Sequence, residues 1–186
     1  MPSRIIVIHG TYGNPNENWI PWLSEELKSR GHTMITPQFP TPSDQSLASW
    51  KRAFWRDSGL IDEKTILVGH SIGAAFILNT AMTLFKPMRG AFLIAPFVSA
   101  LGNPEFDPLN ASFLSMGFDW SLINKTIGKV KVYHSDNDPY VPINYAKEVT
   151  VNLGIQATLV PGAGHFNEAS GYTKFDILLA DILAIA

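Results

Sequence analysis

Three residues far apart in this 186-residue chain have the types and settings of nucleophilic catalysis: Ser71, Asp138 and His165. Ser71 is the centre of Gly69-His70-Ser71-Ile72-Gly73, which follows the β-branched apolar run Thr65-Ile66-Leu67-Val68 and opens the helix-like stretch from Ala74 to Phe85. This is the strand-turn-helix setting of a nucleophile elbow. So tight a turn has no room for a Cβ two residues either side of the serine, and glycine at 69 and 73 removes both. The bend holds the serine in a strained backbone conformation, at a cost of about 1–3 kcal/mol, and lifts its hydroxyl clear of the sheet.

A serine hydroxyl needs a base, and the base needs an orienting acid. Ser135-Asp136-Asn137-Asp138-Pro139 follows the fifth expected strand, and Pro161-Gly162-Ala163-Gly164-His165-Phe166 follows the sixth. A right-handed parallel sheet emits all its strand-to-helix loops at one edge, so the order serine, acid, histidine can converge there. His165 would take the Ser71 proton on one ring nitrogen while the acid holds the other N–H. Asp138 is preferred to Asp136. Pro139 biases Asp138 to an extended backbone suited to aiming a carboxylate across a loop, whereas Asp136 sits in a tight turn where aspartate caps its own backbone.

Donors for a developing oxyanion are expected from backbone amides. One is Ile72, at the positive end of the helix that follows the serine. The other comes from Gly10-Thr11-Tyr12-Gly13, with Thr11 favoured over Tyr12. His9 is expected to support that loop, His134 to brace the acid loop, and His32 to be exposed, while His70 is the variable position of the elbow. No histidine pair has a metal-ligand spacing and the chain has no cysteine, so neither a metal nor a cofactor is expected.

The elements that position these residues alternate. Strands are expected at Arg4–Ile8, Thr33–Thr36, Thr65–Val68, Ala91–Ala95, Lys129–His134 and Gln156–Val160, several of them continuous apolar runs as in strands covered on both faces. Helices are expected at Trp22–Arg30, Leu47–Gly59, Ile72–Phe85, Asn144–Leu153 and Tyr172–Ile185. That alternation predicts an α/β fold: a three-layer α/β/α sandwich with about six parallel strands. The stretch Pro96–Ile127, broken by Gly102, Pro104, Pro108 and Gly117, reads as a winding excursion beyond a strand's carboxyl end. Phe97, Met116, Phe118 and Trp120 within it, and Phe166 beside His165, are candidate pocket walls.

Length and 46% hydrophobic residues suit a single domain over 1–186. A net charge of −2 with scattered basic residues offers no footprint for nucleic acid or an acidic membrane, so the expected partner is a small acyl substrate. Met1-Pro2-Ser3-Arg4 runs directly into an apolar strand too short for a signal-peptide core, and Asn79 and Thr80 break the longest apolar helix. A cytoplasmic location is expected.

These segments together resemble the α/β-hydrolase superfamily, and within it the small serine hydrolases typified by retinoblastoma-binding protein nine. The resemblance is carried by the elbow, His9-Gly10-Thr11, Gly13-Asn14, Asn18-Trp19-Ile20-Pro21-Trp22-Leu23, Ser135 to Pro139, Gly164 to Asn167, and Ser170-Gly171-Tyr172. It implies a trimmed core without a cap domain, a Ser71-Asp138-His165 triad, and Trp19 and Trp22 bordering the site. The cysteine-containing motif that binds the retinoblastoma pocket is absent. The expected activity is cofactor-independent hydrolysis of small esters, thioesters or amides. A non-catalytic binding module and an acyltransferase are the competing readings, separated by active-site labelling and by product analysis with added nucleophile.

Overall fold

The computed structural model describes residues 2–186; Met1 lies outside them. Six strands form one sheet: β1 (Arg4–Ile8), β2 (Thr33–Ile35), β3 (Thr65–His70), β4 (Met88–Ile94), β5 (Ile127–His134) and β6 (Ala157–Leu159). All pairs are parallel, in the order β2-β1-β3-β4-β5-β6. Seven helices flank it: α1 (Ile20–Ser29), α2 (Leu47–Ser58), α3 (Ile72–Ala81), α4 (Phe106–Leu114), α5 (Trp120–Thr126), α6 (Ile143–Leu153) and α7 (Asp176–Leu183).

Side chains alternate across a strand, and that period sorts the core into two layers. Ile6, Ile8, Leu67 and Leu93 face one layer, covered by α2 to α6. Ile5, Val7, Ile66, Val68, Phe92 and Ile94 face the other, covered by α1 and α7. The expected α/β/α sandwich is the observed architecture.

Helix α3 carries the serine at its start and is buried along its whole length. Such a helix is apolar all round, and its polar residues must find partners within the core. Asn79 donates to the carbonyls of Ala75 and Phe113, and the Thr80 hydroxyl to that of Phe76. An aromatic cluster then fixes it laterally, with Phe76 against Phe39, Trp50 and Phe54 at centroid distances of 5.6, 5.8 and 5.3 Å. Among the described residues no helix is long and apolar enough to cross a membrane.

The largest departures from the sequence-based expectation fall in three places. The excursion after β4 contains two helices, α4 and α5, because Pro108 falls in the first turn of α4, where the missing N–H has no helical partner to lose. Helix α3 stops at Ala81 rather than Phe85, which is fully exposed in the turn beyond it. The last helix is shorter than Tyr172–Ile185: a single 3-10 turn at Glu168–Ser170 ends at Gly171, with φ of 82°, and α7 starts only at Asp176. Tyr172 and Phe175 still pack on the α1–α7 layer, so the stripe is apolar without being wholly helical.

Removing the ring at the centre of the aromatic cluster leaves a cavity that backbone shifts fill only in part. Phe76→Ala is expected to cost about 3–5 kcal/mol in urea denaturation, whereas Met116→Ala, at a position 78% exposed, stays within about 0.5 kcal/mol.

Candidate active site

The sheet order reverses between β1 and β3, since the chain leaves β1 for β2 on one side and returns to β3 on the other. Ile8 pairs with Gly69, so the loops after these two strands emerge side by side at the carboxyl edge, where open α/β sheets bind ligands. Ser71 stands between β3 and α3 with φ 58° and ψ −125°, a conformation L-residues rarely adopt. Two close approaches enforce it. A Cβ on Gly73 would lie 2.5 Å from the Ile8 carbonyl oxygen, and one on Gly69 2.6 Å from that of Gly73. The Ser71 amide donates to the Ile94 carbonyl at 2.8 Å, tying the turn to β4.

The loop after β1 lies against the serine: a Cβ on Gly10 would be 3.1 Å from Ser71 Cβ. Ile72 opens α3, so its amide has no partner within the helix and lies at the positive dipole end. The Tyr12 amide is taken by Thr41 Oγ1 at 2.7 Å and the Gly13 amide by the Gly10 carbonyl at 3.1 Å. The Thr11 hydroxyl donates to Asn110 Oδ1 at 2.9 Å, and Gln45 Nε2 donates to both. Helix α4 thereby anchors the loop that its sequence gave no reason to connect with it.

On the far side, Asp138 Oδ2 accepts from His165 Nδ1 at 2.8 Å, while its Oδ1 accepts the amides of Tyr140 and Val141 at 2.9 and 3.0 Å. Burial pushes the Asp138 carboxyl up, but the His165 hydrogen bond and charge and the two amides outweigh it and hold the group below the ordinary carboxylate range. Asp136 has a different task, accepting the Gly162 amide at 2.7 Å. The structure thus joins Asp138 to His165 and places Ser71 and His165 on the wall of one cavity, without a direct hydrogen bond between those two among the described residues.

The other buried histidines are held neutral. His9 Nε2 accepts the Phe39 amide at 3.1 Å, so the proton lies on Nδ1, which donates to Gly10. Burial lowers its pKa against that carbonyl bond. His70 donates from Nε2 to the His165 carbonyl at 2.8 Å, and burial, with the adjoining His165 charge, lowers it to about 3. His134 donates to the Val141 carbonyl, bracing the acid loop, and is likewise lowered by burial. His32 is half-buried, its Nδ1 accepting the Ser3 amide, rather than exposed. Among the described residues no group of His, Asp or Glu forms a metal cluster.

The cavity in front of Ser71 measures about 370 Å³. Phe97 lines it as expected, but Trp19, Met116, Phe118, Trp120 and Phe166 do not. Met116 points to solvent and Phe118 packs on Trp120 at 5.6 Å. Phe166 is stacked on Phe175 at 5.2 Å in the α1–α7 layer, and Trp19 is fully buried with its indole N–H on the Phe166 carbonyl. Trp22 packs in the same layer, away from the cavity. The walls that sequence reasoning missed are Leu101, Phe106, Tyr140 and Val141 on the apolar side and Glu17, Asn18 and Glu168 on the polar side. Their signal was positional: each lies in a segment that follows the carboxyl end of a strand.

The sequence model of the family described as serine hydrolase matches residues 5–183. The chain is 27% identical over 180 residues to the YdeN protein of Bacillus subtilis (strain 168), spanning 96% of this chain and 93% of that one. Serine hydrolase RBBP9 of Rattus norvegicus is 24% identical over 168 residues, covering 89% of this chain and 88% of its own. The crystal structure of the B. subtilis ydeN gene product matches with a TM-score of 0.90 at 24% identity, over 98% of both chains.

The three neutral histidines link stability to pH. Once unfolded, each takes up a proton near pH 6.5, whereas the folded chain resists it, so below that pH the unfolded state binds more protons. Stability is therefore complete above about pH 6.5 and falls with acid by up to about 1.4 kcal/mol per pH unit per ring. Urea midpoints are expected to drop steadily from pH 7 to pH 5, with a shallower slope in His70→Gln; equal midpoints at the two pH values would refute this.

Proposed function

The chain belongs to the serine hydrolase family, and from that premise we propose that it cleaves small carboxylic esters through an acyl-enzyme on Ser71. One juxtaposition supports this reading above all others: the Ser71 elbow and the hydrogen-bonded His165–Asp138 pair open on the same cavity.

In the proposed reaction Ser71 Oγ attacks the substrate carbonyl carbon while His165 Nε2 takes the hydroxyl proton. Asp138 keeps the other ring proton on Nδ1 and stabilises the imidazolium. The oxyanion lies against the amides of Thr11 and Ile72, each such donor being worth about 3–4 kcal/mol. Collapse breaks the ester bond, and the alcohol leaves with the proton from His165. Water, deprotonated by the same nitrogen, then attacks the acyl carbon and returns Ser71 and the free acid.

A fluorophosphonate probe tests the nucleophile directly: labelling of the native protein should vanish in Ser71→Ala, with turnover down by about 10⁴–10⁶. The two aspartates should separate. Asp138→Asn is expected to lower kcat by about 10³–10⁴, and Asp136→Ala, which removes only a loop tie, by far less. Loss in Asp136→Ala with none in Asp138→Asn would reverse their roles.

The cavity also bounds the substrate. About 370 Å³ walled by Phe97, Leu101, Phe106, Tyr140 and Val141 suits short or compact acyl groups. Across a series of aryl esters, kcat/KM is expected to peak at short acyl chains. Faster turnover of long-chain than of short-chain esters would contradict this.

A further inference from the structure

The loop that carries His165 has little regular structure of its own. Gly162, Gly164 and Phe166 all have positive φ, at 72°, 54° and 52°. Four side chains hold its backbone instead. Asp136 and Asn137 accept the amides of Gly162 and Gly164, both at 2.7 Å. From the opposite direction, His70 Nε2 donates to the His165 carbonyl at 2.8 Å and Trp19 Nε1 to the Phe166 carbonyl at 3.0 Å. Both donors are buried, and their rings meet edge to face at 6.3 Å.

The first pair belongs to the loop of Asp138, so it fixes the base relative to the acid. The second pair fixes the base relative to the nucleophile, because His70 is one peptide bond from Ser71. Movement of the loop that separates His165 from Ser71 Oγ must break the His70 bond first. The two imidazole centroids are 4.7 Å apart, so this restraint acts within the site itself. His70 meets a neutral carbonyl rather than a carboxylate.

We propose that His70 and Trp19 are positioning residues for His165: their N–H groups clasp two successive carbonyls and set the distance between base and nucleophile. This inference rests on the hydrolase reading above. It assigns a task to the variable position of the elbow and to an indole buried behind the catalytic loop.

The test begins with the native protein, since absence of Ser71-dependent fluorophosphonate labelling would remove the hydrolase reading itself, whatever the variants do. With labelling present, His70→Leu is expected to lower kcat on a short aryl ester by about 10–100-fold with KM within about threefold. His70→Gln, which restores an N–H near the Nε2 position, should recover kcat to within about fivefold of native. Trp19→Phe keeps the ring packing and deletes only the N–H; a loss of about tenfold in kcat is expected, with a matching fall in labelling rate. A merely structural role would lower melting temperature in all three without separating Gln from Leu. The inference is overturned if the folded Leu and Phe variants keep kcat within about twofold, if the losses lie in KM, or if Gln fails to rescue. Should His70→Leu not fold, Trp19→Phe decides by the same criteria.

Discussion

At the start of α3 the backbone of one element is packed against the backbone of two others, with no side chain between them. Contacts of that kind cannot be relieved by a rotamer change, so a Cβ at Gly69 or Gly73 would push α3 off β1 and β3. The consequence reaches past the two glycines. Wedged there, Ser71 is held at positive φ, its amide reaches β4, and the start of α3 lies against the end of β1 and the loop that leaves it. The register that sets Ile8 beside Gly69 completes the arrangement, because a slip by one residue would turn every buried side chain of β1 to the wrong layer. The elbow is rigid because the sheet beneath it has one permitted pairing.

The histidine side of the site is built on the opposite plan. Its loop leaves a three-residue edge strand, and almost nothing in the local sequence dictates its path. Buried backbone groups in such a segment need partners from elsewhere. They find them in side chains from the acid loop, from the elbow and from the residue before α1. One half of the site is thus fixed by covalent geometry and close packing, the other by hydrogen bonds spanning up to 147 positions in sequence.

This difference explains what could be read from the sequence. Ser71 was legible because its surroundings are local: two glycines, a strand before and a helix after. The meeting of Asp138 with His165 was legible from chain order, since strand-to-helix loops of a parallel sheet share an edge, and Pro139 separated Asp138 from Asp136. The six strands followed from β-branched runs, β1 at its observed bounds and the other five with errors of one to three residues at one or both ends. The pocket was not legible. Aromatic residues near a strand's carboxyl end can face the cavity, the core or solvent, and Phe97, Phe166 and Met116 take one course each. Helix α4 was hidden by Pro108, which breaks a helix at most positions but not in the first turn.

Five histidines in one chain also show how surroundings, rather than residue type, decide chemistry. A ring whose partners are a backbone carbonyl and a backbone amide, as at His9, has both nitrogens committed only while it is neutral. Rings that donate to a single carbonyl inside the core, as at His70 and His134, gain too little from that bond to offset the loss of hydration on charging. Only His165 pairs with an ionised carboxylate, itself held ionised by two backbone amides. The partner that makes a positive charge tolerable is thus given to one ring alone, and that ring lines the cavity together with Ser71. The neutrality of His70, whose ring is tilted beside it at 4.7 Å, leaves that charge unopposed when it forms.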